Sequence, residues 1–164
     1  MSGRYDLALS LAFQGAEGAQ TLSRHVQRAL RTRWHGYLPL ASCLITSLPG
    51  DVVEGDDGNQ SGHFDASSIA VLPTMRYPVD VRWHQDLVYN AVCNLLVEVR
   101  RWNAKLLARR PRNTQDKIIE RILMTGLGTG YGNVNAARCA QQIILANQTF
   151  CTGCTGGSKL GRRP

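Results

Sequence analysis

Apolar and polar positions along this chain follow two rhythms, one of helical spacing and one of short apolar runs. Tyr5, Leu7, Ala8, Leu11 and Ala12 predict a short first helix, with Asp6 in its first turn. Gly15 to Gly18 breaks the pattern. Leu22, Val26, Leu30 and Trp34 then form the buried stripe of a helix that Thr21 or Ser23 can cap. Gly36 and Pro39 end it. Ala41 to Leu48 and Ser68 to Pro73 read as strands. Between them Pro49 to Ala66 is polar, rich in Gly and Asp, and too long for an ordinary connection. Thr74 to Val81 carries Pro78 and Asp80 and reads as a loop. His84 to Asn103 is the longest predicted helix, with a wide apolar stripe at Leu87/Val88, Val92, Leu95/Leu96, Val99 and Trp102. Pro111 and its basic neighbours lead to Ile118–Met124, whose β-branched apolar run predicts a buried strand.

That run stops at Gly126-Leu127-Gly128-Thr129-Gly130-Tyr131-Gly132. Helical spacing resumes at Val134, Ala137, Ala140, Ile144 and Gln148, with Asn133 or Asn135 as N-cap. The glycines therefore occupy a strand-to-helix turn. Four missing Cβ atoms let a ligand approach the backbone, and free N–H groups next to a helix start favour an anion, most often phosphate. Two familiar nucleotide loops do not fit. A Walker A loop needs Gly-Lys-Ser/Thr at its end, and here Gly132 is followed by Asn133. A dinucleotide fingerprint would require glycine at Tyr131 or at Asn133. The competing reading is a glycine-rich connector that serves close packing.

The predicted order is helix, helix, strand, strand, long helix, strand, glycine loop, helix, an α/β arrangement. At 164 residues and 43% hydrophobic content the chain suits one domain, residues 1–150, followed by a flexible basic tail, 151–164. Three strands are few for such a sheet, so further strands are expected from upstream or from another chain. No window approaches a membrane span, and the N-terminus lacks a secretory pattern. Five cysteines, with Cys43 and Cys93 inside apolar elements and Cys139 in the last helix, fit a reduced intracellular protein, cytoplasmic or nuclear.

The formal charge is +7. Its densest run, Arg100, Arg101, Lys105, Arg109, Arg110, Arg112, Lys117 and Arg121, reads as a solvated helix end and loop. Arg24, Arg28, Arg31 and Arg33 fall largely off the second helix's apolar stripe and read as solvated too. A nucleic-acid role, which would show strongly salt-dependent binding, is accordingly the last of the expectations. Asp51, Glu54, Asp56 and Asp57 lack calcium-loop spacing, and Cys151-x-x-Cys154 has no matching second pair, so no metal is expected.

The segment Ile122 to Gly132, followed by Ala136-Ala137-Arg138-Cys139-Ala140-Gln141-Gln142, resembles the second ligand loop and following helix of macrodomains, which bind ADP-ribose. Ala70-Val71-Leu72-Pro73-Thr74-Met75-Arg76-Tyr77-Pro78-Val79-Asp80-Val81 is similar to the strand and loop of a macrodomain-like subgroup. Ser2 to Leu9 resembles the end of the family's first ligand loop, with Arg4 where a second glycine is usual. The resemblance spans about residues 2–150. It implies a three-layer α/β/α fold around a mixed sheet, with the family's first strand and its adenine- and ribose-contacting segments preceding Met1. It implies that Gly126, Gly128, Thr129, Gly130, Tyr131 and Gly132 cradle a diphosphate and ribose, with Gly3, Tyr5 and Asp6 as the opposing rim.

The leading functional expectation is a module binding ADP-ribose, or an ADP-ribosylated protein, with no cofactor. A hydrolase acting on ADP-ribose derivatives would need a carboxylate to activate water, and the candidates are Asp6 and Asp80. A truncated scaffold that oligomerises through an exposed sheet edge is the third expectation.

Overall fold

The computed structural model describes residues 20–48, 66–108 and 117–155, with isolated positions at 9, 11, 13 and 18. Helix α1 spans Thr21–Trp34, strand β1 Leu44–Ser47, strand β2 Ser68–Val71, helix α2 Leu87–Ala108 and helix α3 Ala136–Thr155. The described chain is a small α/β structure: one two-stranded antiparallel sheet and three helices.

Helix α1 starts at the expected place by a different device. Gln20 holds the N-cap position without a side-chain bond, while the Thr21 hydroxyl donates to the Gly18 carbonyl at 2.8 Å. Its end follows expectation. His35 and Gly36 take left-handed backbone angles, and the Gly36 amide donates back to the Leu30 carbonyl at 3.1 Å. Leu22 and Leu30 are buried, but Trp34 is 37% exposed and lies outside the stripe predicted for it.

The strands are shorter than their apolar runs. Leu44 pairs with Val71, Ile45 with Ala70, Thr46 with Ile69 and Ser47 with Ser68. The chain before β1 bends at Ala41, whose φ is 60° and whose amide donates to the Pro73 carbonyl. Cys43, Leu44, Ile45 and Leu48 are buried. Burial, and secondarily the Glu98 charge, pushes the Cys43 thiol up to about 12, so it stays protonated.

Helix α2 begins later than His84 and runs on to Ala108. Lys105, Leu106 and Leu107 are good helix formers, and the first strong breaker is Pro111. Its buried face is the predicted one, with Leu87, Val88, Ala91, Val92 and Leu95. The main core gathers Leu87, Val88, Ala91 and Val92 with Val81, Val134, Cys139 and Ala146, so α2 and α3 pack against each other. Leu95 belongs to a second cluster with Cys43 and Ile45, which seats the sheet on α2. Helix α3 passes Phe150 and continues to Thr155, so Cys151–Thr155 are helical and not the start of a tail. Residues 156–164 lie outside the described residues.

The largest departure is Ile118–Met124. This run forms no strand. Its start is tied to α2 by two bonds between Asn103 and the main chain of Ile119, and by the Trp102 indole donating to the Lys117 carbonyl. Beyond that, the main chain of Glu120–Thr125 makes no hydrogen bond among the described residues. Leu123 is 84% exposed. Strand propensity expresses itself only where a neighbouring strand supplies the ladder and a layer covers the face, and among the described residues none does. The predicted buried strand is thus corrected to an irregular segment in which Ile118, Ile122 and Leu123 are exposed while Ile119 and Met124 pack against the core. The same absence leaves two paired strands where three were expected.

Candidate functional site

The turn from Gly126 to Gly132 leads into α3 as expected, but the segment before it is irregular and not a strand. Gly128 has φ +68°, a conformation that favours glycine. Its carbonyl accepts the Val134 amide at 3.0 Å. The Gly130 carbonyl accepts the Asn133 amide at 3.0 Å, with Asn133 itself left-handed at φ 54°. Thr129 donates its hydroxyl to the Gly126 carbonyl at 3.0 Å. The turn is thus folded on its own carbonyls. By contrast, the main-chain amides of Leu127 through Gly132 make no hydrogen bond among the described residues.

Gly132 is buried at the tightest point. A Cβ there would lie 2.5 Å from the Gly128 carbonyl oxygen and 2.8 Å from Val81. Thr129, Gly130 and Tyr131 are exposed. Helix α3 starts immediately after, with the Asn135 side chain accepting the Ala137 amide at 2.8 Å. No acidic residue occupies its first turn, so the positive end of its dipole is not offset there.

A second loop braces the first. The Val81 amide donates to the Gly132 carbonyl at 3.1 Å. Asp80 accepts the Arg82 amide at 2.9 Å, the Arg82 guanidinium at 2.7–2.8 Å, and the Asn133 side-chain amide at 3.3 Å. The Arg82 hydrogen bonds, side chain first and main chain second, hold the Asp80 carboxyl down to about 2. Arg138, on α3, donates to the carbonyls of Arg82 and Gln85, which fixes the helix start to the same loop.

Asp80, the candidate carboxylate that the structure describes, is the anchor between the two loops. Arg82, Asn133 and Arg138 were not foreseen as parts of this site. The signal for Arg82 was present, since an Asp commonly bonds the amide two residues on in a turn. The pairings with Asn133 and Arg138 cross more than 50 positions and left no local trace. Gly3, Tyr5 and Asp6 lie outside the described residues.

Because Asp80 ionises far below its usual 3.8, its contribution to folding is complete above about pH 4 and disappears as pH falls toward about 2. Asp80→Asn should therefore be less stable than the parent at pH 7, and the two should converge near pH 2. Urea denaturation at both pH values checks this, and a gap that persists at the acid end would show that the carboxylate charge is not the source.

Two shallow hollows lie away from this turn. One, of about 400 Å³, is lined by Gln20, Ser23, Arg24, Gln27, Arg28 and Arg31 of the α1 segment. The other, of about 270 Å³, lies between α2 and α3. Among the described residues no group of three or more His, Cys, Asp and Glu could hold a metal ion. Among them, too, no helix is long and apolar enough to cross a membrane. No family model, curated protein or solved structure matches this chain.

Proposed function

We propose that this protein binds ADP-ribose or a related nucleotide diphosphate, with the diphosphate on the Gly126–Gly132 turn. The observation that carries the reading is the run of amides from Leu127 to Gly132, without hydrogen-bond partners among the described residues, at the positive end of a 20-residue helix. A diphosphate needs several convergent donors, and glycine amides supply them without ordering long side chains. Thr129, Gly130 and Tyr131 face solvent, so a ligand can reach them. The reading includes the finer architecture that the resemblance implies, a three-layer macrodomain-like fold.

Binding is favoured over hydrolysis. A carboxyl held at about 2 and engaged by Arg82 and Asn133 is a weak base and has little freedom to reach a water. Asp80 therefore serves as a brace for the turn. Calorimetric titration with ADP-ribose tests the proposal: saturable heat is expected, and no heat at millimolar ligand overturns it.

A second reading rests on a separate observation, the main chain of Glu120–Thr125, which makes no hydrogen bond among the described residues and carries the exposed Leu123. Such an edge can take a strand from a second copy of the chain. Light scattering should then report a dimer that Leu123→Glu converts to monomer, and a monomeric parent excludes it.

A further inference from the structure

Beside the glycine turn the fold holds a large ring in the open. Trp83 is 72% exposed, yet it is firmly placed. Its indole N–H donates to the Asp80 carbonyl at 3.1 Å. The His84 ring lies 5.4 Å away, tilted by 38°. The main chain on either side is tied to the turn and to α3. The Val81 amide donates to the Gly132 carbonyl at 3.1 Å, and the His84 amide donates back to the Val81 carbonyl at 2.9 Å. Arg138 reaches the carbonyls of Arg82 and Gln85. The carboxylate of Asp80, whose carbonyl the indole engages, accepts the Asn133 side chain at 3.3 Å. One braced residue, Asp80, thus links the indole to the turn.

The chemistry of the ring sharpens this. An indole has one donor and no acceptor. Here the donor is engaged by the protein, so what Trp83 presents to solvent is ring carbon. A side chain already held in one orientation loses little freedom when a partner arrives. The partner best suited to a flat aromatic face is a second flat aromatic system, stacked with an offset.

We propose that Trp83 is the stacking platform for the base of the nucleotide whose diphosphate sits on the Gly126–Gly132 turn. The inference rests on that reading of the turn and narrows its ligand class to diphosphates that carry a nucleobase. The occupant follows from the tether. A base joined through its ribose to a phosphate on the turn meets the ring as an intramolecular partner, at an effective concentration in the millimolar range. Stacking uses the π-face, which every base has, so the platform selects for the presence of a base more than for its identity. A purine covers more of the indole than a pyrimidine does, so adenine and guanine compounds should bind more tightly than uracil ones.

Calorimetry on the full chain compares ADP-ribose with inorganic pyrophosphate, which has no base. Trp83→Ala should weaken ADP-ribose binding by about 5- to 150-fold, the range for one base–aromatic stack. Its affinity for pyrophosphate should change by less than about twofold, since no stack is lost. Trp83→Phe, which keeps a ring, should recover most of the ADP-ribose affinity. Tryptophan fluorescence gives a second readout. ADP-ribose should quench the parent, pyrophosphate should not, and the quench should vanish in Trp83→Phe, which retains Trp34 and Trp102. Equal losses for both ligands in Trp83→Ala would make Trp83 a brace for the turn and overturn the proposal. An ADP-ribose affinity unchanged in Trp83→Ala, or a quench that persists in Trp83→Phe, would overturn it too; each of these results leaves the role of the turn standing. A parent that gives no heat with ADP-ribose overturns the reading of the turn, and this inference with it. Trp83→Phe preserves the bulk of the side chain, so its fluorescence decides the question even where Trp83→Ala fails to fold.

Discussion

Gly132→Ala should lower folding stability by about 1–3 kcal/mol, the usual cost of forcing extra volume into a packed site, and weaken ADP-ribose binding at least about tenfold, equivalent to about 1.4 kcal/mol. The added methyl would stand 2.5 Å from the main-chain oxygen of Gly128 and 2.8 Å from Val81. Backbone cannot swing aside as a side chain can. Relief requires parting Gly132 from Gly128 or from Val81. Either movement pulls on the Val134–Gly128 and Val81–Gly132 hydrogen bonds that shape the turn. Gly126→Ala provides the contrast. Its nearest neighbours would be Thr129 side-chain atoms, at 2.8–2.9 Å, which can rotate away at the cost of one exposed hydroxyl bond. The milder effect is therefore expected at Gly126. Urea denaturation and calorimetry on both variants check the order, and equal or reversed losses would mean that close packing at Gly132 does not shape the turn.

Leu95→Ala should cost about 2–5 kcal/mol, the range for deleting a buried leucine side chain. Leu95 is 2% exposed and joins α2 to Cys43 and Ile45, with Ala70, Leu72, Val99, Trp102 and Ile119 around it. It is the contact through which the sheet sits on the long helix, and through which Ile119 reaches the same core. The expected loss is a large part of the roughly 5–15 kcal/mol that stabilises a typical domain. Leu107, on the same helix but 75% exposed, should tolerate alanine within about 0.5 kcal/mol. A Leu95→Ala cost below about 1 kcal/mol in urea denaturation would contradict this packing.

Elements whose signals are local could be read from the sequence. The α2 stripe from Leu87 to Leu95 was visible because helical spacing and burial coincide there. The end of α1 was visible because Gly36 supplies the left-handed angle that helix termination uses. The cap of α3 was narrowed to Asn133 or Asn135, and Asn135 is the one whose short side chain reaches the amide two residues on. The Gly126–Gly132 turn was visible because glycine spacing marks it without knowledge of its neighbours.

What failed depended on distant partners. Ile118–Met124 has the composition of a strand, but whether it becomes one depends on another segment lying alongside with matching donors and acceptors. Leu123 at 84% exposure shows how completely propensity yields when that partner is lacking. Asp80 appeared as a free carboxylate because Asn133 is remote in sequence, although the Arg82 half of its clamp is local. The α1 arginines were assigned to solvent one by one. In the folded helix Arg24, Arg28 and Arg31 lie on one face with polar neighbours.

The central claim concerns particular N–H groups, so the most direct measurement observes them. In an amide-resolved NMR titration with ADP-ribose, the resonances of Leu127 through Gly132 should shift saturably and together, followed by the first turn of α3, while amides in α1 stay in place. Saturable shifts confined to other residues, or no shift in the glycine turn at millimolar ligand, would contradict the account.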